Sequence, residues 1–461
     1  LHVDSFDLYH ARSRRTFLQQ AAEETGLAES QLRQDVGRIL LELEQRQVAL
    51  HDKETQAPAP VQLTEEQHSE ALEFLQDPNL LERILDDFEI CGLVGERLAK
   101  LTGYLVATSR LLHKPLGLVL QSSSSAGKTS LLDAVLAFMP PESLFACSAM
   151  TGRSLYYAAN LELRHKILTI AEEEGARDAA YALKLLQSEG QLSIATTGKQ
   201  AGSGRNAAQR YEVQGPVATL LTTTALQVDP ELLNRCLVLS VDEAAAQTAA
   251  IQQRQREAEN IDEMIRRDEA TRIRQIHQNA QRLLRSDLQI SNPYAAQLIF
   301  PAHTVRHRRD QAKYLGLIRT IAFLHQHQRD VQRVSGANDE PIEYIEVTKK
   351  DIQWANEIAA DVLRTCSADE LPPTTQRLLD DLRRFVTKQS SDSHSSRFTR
   401  RQIREASGWN TTQLRVHLER LCQAEYVVAH GRNGRGKLVE YELLVAPHSV
   451  SEPQLIDAAE L

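Results

Sequence analysis

Residues Ser122 to Thr129 read Ser-Ser-Ser-Ser-Ala-Gly-Lys-Thr. That is one glycine short of G-x-x-x-x-G-K-[ST], the loop whose backbone N–H groups cradle phosphates. Such a loop must curl so that its N–H groups point at the anion, with a helix N-terminus behind them. Gly127 stands where an unusual φ is needed, and Lys128 is placed to reach the β- and γ-phosphates. Thr129 is placed to hold Mg²⁺. A small residue with negative φ serves in place of the first glycine, so Ser122 weakens the pattern without abolishing it. The expected nucleotide-contacting stretch is Ser123, Ser124, Ser125, Ala126, Gly127, Lys128, Thr129 and Ser130, with ATP and Mg²⁺ as ligands. The competing reading is a strand, a turn and a helix that end in Gly-Lys-Thr by chance.

Triphosphate hydrolysis also needs carboxylates. The apolar run Ile167 to Ala171 leads into Glu172, Glu173 and Glu174. Carboxylates at the C-terminal end of such a strand sit at the crevice where ligands bind in α/β sheets. Glu172 is assigned to the metal and Glu173 to the catalytic base, with the register open by one residue. A solvated acidic cap is the alternative. A further apolar run ends in Thr222, Thr223 and Thr224, and a polar group there can orient water. The helix after it carries Arg235, which could project to a neighbouring subunit's phosphate as an arginine finger.

The elements that must position these groups follow from the pattern along the chain. "LGLVLQ", "KILTIA", "QLSIATT", "YEVQG", "VATLLTTT" and "CLVLSV" are short apolar runs separated by helical stretches, which predicts an α/β layer with a mostly parallel sheet. "LGLVL" precedes the phosphate loop as a buried strand, and "TSLLDAVLAFM" follows it as a helix. The expected divisions are a helical N-terminal domain (1–51), a linker (52–63), a helical lead-in (64–112) and the α/β core (113–245). A helical arm and lid (246–365), a small C-terminal unit (374–447) and a tail (448–461) follow. Residues 243–290 are heavily charged and read as a solvated helical arm, and residues 301–365 read as helical.

The 461 residues carry a net charge of -9 with 42% hydrophobic and 25% charged content, which excludes a basic nucleic-acid coat and leaves DNA contact to local patches. The five cysteines show no C-x-x-C spacing. This argues for reduced thiols in a cytoplasm and against zinc. No apolar run approaches membrane-spanning length.

Taken together, residues 115–330 resemble an AAA+ ATPase, and within that group the minichromosome-maintenance (MCM) type of replicative helicase. "SSSSAGKTS" and "ILTIAEEE" stand for the two nucleotide motifs. "SEGQLSIATTGK" is similar to the family's "Q-x-I-S-I-A-K-A-G" strand, which leads into a hairpin before the sensor strand. "LLTTTA" is the sensor strand, with Thr224 in place of asparagine, and "ELLNRC" parallels "L-L-S-R-F", which implies the finger role for Arg235. "RHRRDQAKYLGLIRTIAFLHQHQR" looks like the lid helix with a second sensor arginine, Arg309 first and Arg308 next, with Arg319 packed or ion-paired. The whole block is similar to the helicase half of primase–helicases from phages and mobile elements. That implies an upstream primase, in keeping with a chain that begins at Leu1, or a primase subunit. The resemblance also implies a homo-oligomer, a hexamer moving 3′ to 5′ on single-stranded or forked DNA.

Handles for DNA are expected in two places. The hairpin "IATTGKQAGSGRNAAQRYEV" carries Lys199, Arg205 and Arg210. In the resembling family this hairpin grips a single strand within the ring. "SAMTGRSLYYAANLELRH" offers Arg153, Tyr156 and Tyr157, the tyrosines being either core or stacking groups. The C-terminal unit reads as a winged helix, with Asn410 and Thr411 capping its second helix. Arg397, Arg400, Arg401, Arg415, Arg432, Arg435 and Lys437 form its basic surface. The expected function is an ATP-driven, ring-forming DNA helicase. The alternatives are an AAA+ ATPase that remodels protein, or a nucleotide-responsive DNA-binding regulator that unwinds nothing.

Overall fold

The apolar runs become strands β1 (Gly117–Gln121), β2 (Leu144–Cys147), β3 (Lys166–Ala171), β4 (Gln191–Lys199), β5 (Asn206–Gln214), β6 (Val217–Thr223) and β7 (Leu237–Leu239). The computed structural model describes residues 11–39, 61–147, 163–171, 184–187, 190–199, 206–224, 229–300, 307–336, 341–367, 373–390, 397–423, 426–430 and 439–444, together with 42, 455–456 and 458–461. Five of the strands form one parallel sheet in the order β2-β3-β6-β1-β7. Every residue of β1 and β6 is buried, as parallel strands covered on both faces require. β4 and β5 stand apart from it as a two-stranded antiparallel arm, paired from Gln191↔Gln214 to Lys199↔Asn206.

The chain divides into two units, Leu1–Gln62 and Leu63–Leu461. The first contains α1 (Ala11–Thr25) and a second helix, α2 (residues 29–39). Gly26 ends α1 at φ +71, a left-handed conformation suited to glycine. The second unit holds α3 (Glu65–Leu75), α4 (Leu80–Ile90), α5 (Arg97–Thr108), α6 (Lys128–Ala137), α7 (Ala245–Glu257) and α8 (Asp262–Leu283). Beyond these come α9 (His307–Leu324) and α10 (Lys349–Ser367). Thr64 and Gln67 form a reciprocal capping box at the start of α3.

Because side chains alternate across a strand, β1 divides its residues between two cores. Leu118 and Leu120 join the helical layer of α3, α4, α5, α6, α9 and α10. Val119 joins Leu168, Ile170, Leu221 and Val213 on the opposite side. Val213, near the end of β5, ties the antiparallel arm to the sheet.

Two expectations are corrected. α7 has no buried residue, as a solvated helix should, but α8 is packed inward. Its His277 is fully buried, with Nε2 at 2.9 Å from Asp87 Oδ2 and Nδ1 at 3.1 Å from the Tyr104 hydroxyl. The His277 ring also stacks on Phe138, with 4.0 Å between centroids. Arg266, Arg267, Asp268, Glu269 and Arg272 of α8 are exposed, and Ala270, Ile273, His277, Ala280 and Leu284 form the inward stripe at helical spacing. Residues 301–365 are not all helical. β9 (Gln332–Ser335) and β10 (Pro341–Glu346) lie between α9 and α10 and pair with β8 (Gln289–Ser291) in a three-stranded sheet.

The C-terminal segment has its own apolar cluster, built on Leu378, Leu382, Phe398, Ile403, Leu414, Leu418 and Tyr441. It consists of α11 (Pro373–Ser390), β11 (Arg397–Thr399), α12 (Arg400–Ser407), α13 (Thr411–Gln423), β12 (Val427–His430) and β13 (Glu440–Leu443). The strands pair in the order β11-β13-β12. Thr399 and Gln402 form a capping box on α12, and Gly408 ends it at φ +72. Asn410 Oδ1 accepts the Thr412 N–H at 2.9 Å where α13 begins. Among the described residues no helix is long and apolar enough to cross a membrane.

Candidate nucleotide site

Strand register gathers the candidate residues. Gln121, last in β1, is level with Thr223, last in β6, and Ala171, last in β3, is level with Thr222. Ser122 and Thr224 therefore leave the sheet at one edge, outside the carboxyl ends of the strands, where α/β sheets bind ligands. Glu172 and Glu173 follow Ala171 in sequence and lie outside the described residues.

The loop from Ser122 to Gly127 turns back on itself through two left-handed residues, Ser125 at φ 64 and Gly127 at φ 99. Ser122 is not among the residues with positive φ. α6 begins at Lys128, so its N-terminal N–H groups and the positive end of its dipole face the loop. Thr129 and Ser130 are exposed in its first turn.

Lys128 is buried, and its Nζ donates to Ser122 O at 3.0 Å and to Ser123 O at 2.6 Å. Burial pulls this ammonium below its ordinary pKa, and the nearby Glu243 carboxylate opposes the pull. Glu243 follows β7 and reaches the loop mouth, where its Oε1 accepts the Ser123 N–H at 2.9 Å. Its Oε2 accepts a hydrogen bond from the Gln413 side chain on α13. Close by, Arg377 of α11 pairs with Asp242 at 3.0 Å. These contacts seat the C-terminal segment against the loop.

Between them is a cavity of about 270 Å³. Gln121, Ser122, Ser123 and Thr224 line one side, and Gln413, Val416, His417 and Arg420 of α13 line the other. Those four lie at i, i+3, i+4 and i+7, one face of a helix. His417 Nδ1 is 2.9 Å from the Thr375 Oγ1, and burial together with the Arg420 charge lowers the imidazole to a pKa of about 4.

The other candidates lie elsewhere. Arg235 donates from Nη1 to Lys184 O and from Nη2 to Glu231 Oε1, both at 3.2 Å, and does not line the cavity. Arg309, Arg308 and Arg319 are exposed on α9. Within α9, buried Lys313 pairs with Asp310 at 2.7 Å and donates to Cys236 O at 3.2 Å, which anchors the helix to the start of β7. Lys199 ends β4 opposite Asn206. Arg205, Arg153, Tyr156, Tyr157, Arg432, Arg435 and Lys437 lie outside the described residues. Arg415 is exposed on α13. Arg397 pairs with Glu442 at 3.4 Å, Arg401 pairs with Glu405 at 2.8 Å, and Arg400 lies over the Tyr441 ring at 5.6 Å. The basic surface expected of the C-terminal unit is thus partly neutralised.

Residues 63–282 match the family model described as the MTBMA_p00010 P-loop domain. The matched stretch contains the five strands of the parallel sheet, the Ser122–Thr129 loop and Glu243. The C-terminal segment, which supplies the other wall of the cavity, lies beyond the match. No curated protein matches the chain. Among solved structures, the chain is similar to a full-length MCM homolog from Methanopyrus kandleri, at 13% identity and a TM-score of 0.41. The similarity covers 66% of this chain and 62% of that one, less than two thirds of its length.

Glu243, Gln413, His417 and Arg420 were not anticipated from sequence. Glu243 had a signal of the same kind as Glu172, an acid just past an apolar strand. The three α13 residues had none, because they reach the loop only through tertiary packing.

Proposed function

We propose that this chain is an ATP hydrolase that powers a DNA helicase, an AAA+ motor of MCM type that assembles as a ring, a hexamer, and moves on single-stranded DNA. The observation that carries the reading is the phosphate loop. It places a buried Lys128, a left-handed Gly127 and a helix N-terminus together at the carboxyl edge of β1 and β6. Lys128 would exchange the Ser122 and Ser123 carbonyls for phosphate oxygens, and the Ser123 N–H would pass from Glu243 to the nucleotide. Among the described residues no cluster of three or more His, Cys, Asp or Glu could hold a metal alone. The exposed Thr129 hydroxyl and the Glu172 carboxylate are hard oxygen donors of the kind Mg²⁺ takes alongside substrate phosphates. When bound, Mg²⁺ would neutralise charge on the transferring group. Glu173 would accept the proton of the attacking water, and Thr224 would orient that water. Arg235 and Arg309 would be offered to the phosphates of a neighbouring subunit.

Two features support a DNA track. The β4–β5 arm brings Lys199 to its far end, and Arg205 and Arg153 are the further candidates for gripping the strand. The C-terminal helices α12 and α13 followed by the β12–β13 pair have the order of a winged helix, with Arg415, Arg432 and Arg435 for duplex phosphates. A cytoplasmic setting in replication of a phage or mobile element, with a primase upstream or as a partner, completes the proposal.

The test is ATP turnover and strand displacement on a forked duplex, with and without Lys128→Ala. The expected result is DNA-stimulated turnover that falls on the order of 100-fold in the variant, with unwinding lost. Turnover indifferent to DNA would point to a protein remodeller. DNA binding with no turnover would point to a regulator.

A further inference from the structure

We propose that Arg420, on α13 of the C-terminal segment, is a nucleotide-binding residue that recognises the terminal phosphate of a triphosphate held by the P-loop of the same chain. The inference rests on the nucleotide reading above and adds to it a residue from outside the P-loop match.

Two residues that line the cavity between loop and α13, Ser122 and Arg420, each carry a buried side-chain polar atom without a partner. The Ser122 side chain is buried, and its Oγ has no hydrogen-bond partner. Arg420 Nη2 is likewise buried without a partner, while Nη1 reaches only the Thr375 Oγ1 at 3.3 Å. Unsatisfied buried donors are costly and call for a reason. A guanidinium has donors only, and so has a protonated lysine, so an acceptor-rich anion is the group that answers both.

The charges agree. Among the described residues no carboxylate pairs with Arg420, and the adjacent His417 is held neutral by burial and by the Arg420 charge. Burial pulls the guanidinium below its ordinary value. An unneutralised cation thus lies across a small cavity from a loop whose N–H groups, helix dipole and Lys128 all favour negative charge. The cavity volume, about 270 Å³, falls just under the roughly 300–1,000 Å³ typical of small-molecule pockets. It suits the phosphate end of a nucleotide, not the whole molecule.

The face of α13 that meets the loop is not available to DNA. Leu414, Leu418 and Leu421 face the segment's own core. Gln413, Val416, His417 and Arg420 face the cavity. Arg415 is left on the remaining exposed face. The C-terminal segment therefore touches the nucleotide site through one face of α13 and offers another outward.

The test measures dissociation constants of fluorescent ATP and ADP analogues for the full chain and for R420A, R420K and K128A. Arg420 contacting the terminal phosphate predicts that R420A weakens ATP at least 10-fold and ADP less than 2-fold, with R420K between wild type and R420A. Equal losses for ATP and ADP, or no loss, overturn the inference. Should R420A fail to fold by circular dichroism, R420Q against R420K decides on the same ATP-to-ADP ratio. If K128A loses nucleotide binding while Arg420 variants keep the wild-type ratio, the inference alone fails. If the wild-type chain binds neither nucleotide, the P-loop reading fails with it.

Discussion

The Glu243 carboxylate accepts the Ser123 backbone N–H at 2.9 Å, inside the loop proposed to receive phosphate. A phosphate oxygen and a carboxylate cannot share that donor, and their charges repel at such a distance. On the proposed nucleotide reading Glu243 would compete with the ligand, and it holds Gln413 at the same time.

Glu243→Gln removes the charge and keeps the shape. The amide oxygen can still accept from Ser123, but a neutral hydrogen bond is roughly half as strong as a charged one. The expected outcome is ATP affinity raised about 3–10-fold, measured by titration with a fluorescent analogue. Unchanged or weakened affinity would show that Glu243 assists binding.

Gly127→Ala isolates backbone strain. Nothing lies within 4 Å of a Cβ built on Gly127, so the added methyl meets no neighbour. The residue sits at φ 99, however, where a side chain costs roughly 1–2 kcal/mol. The variant is expected to keep its fold and to lose nucleotide affinity about 10-fold as the loop opens to relieve φ. Full-strength binding would mean that the loop tolerates another shape.

How far the site could be read in sequence depended on distance along the chain. Strand, loop, left-handed glycine and helix fall between Gly117 and Ala137, so local pattern alone located Lys128 and Thr129. The threonines that end β6 were legible because a continuous apolar run has an obvious end. Glu243 and Gln413 reach Ser123 across 120 and 290 residues, and no local period carries such a contact. Charge hid the burial of α8, since its arginines and acids outnumber the inward stripe of Ala270, Ile273, His277 and Ala280. The pattern over residues 332–346 reads as helix because strands as short as β9 and β10 give too few alternations to outweigh their helical neighbours.

His417 sets a pH dependence. Its folded pKa, about 4, lies below the ordinary value of 6.5 because burial and Arg420 disfavour the imidazolium. Between those values the unfolded chain binds a proton that the folded chain refuses. Stability is therefore full above about pH 6.5 and falls as pH drops toward 4, with a slope of at most about 1.4 kcal/mol per unit, less where solvent screens the ring. His417→Gln keeps a partner for Thr375 and removes the titration. Thermal melts at pH 7 and pH 5 should show a smaller drop for the variant. An equal drop would place the pH sensitivity elsewhere, with buried His277 the next group to test.

Lys313 and Asp310 form an ion pair in which both residues are at least 95% buried, at 5% and 1% exposure. Through the Lys313 bond to Cys236 O, the pair fixes the turn of α9 that also bears Arg308 and Arg309. Removing one member of a buried pair strands the other charge, at a cost of about 3–5 kcal/mol, whereas replacing both by neutral groups of similar volume is often close to harmless. Lys313→Met is therefore expected to lower stability by that amount in denaturant melts, and the double variant D310N/K313M to recover most of it. If Arg309 acts on a neighbour's phosphate from this helix, the double variant should fold well yet hydrolyse ATP more slowly at saturating nucleotide. A double variant that melts as low as Lys313→Met would mean that the hydrogen bond to Cys236 O, and not the stranded charge, is what holds α9 in place.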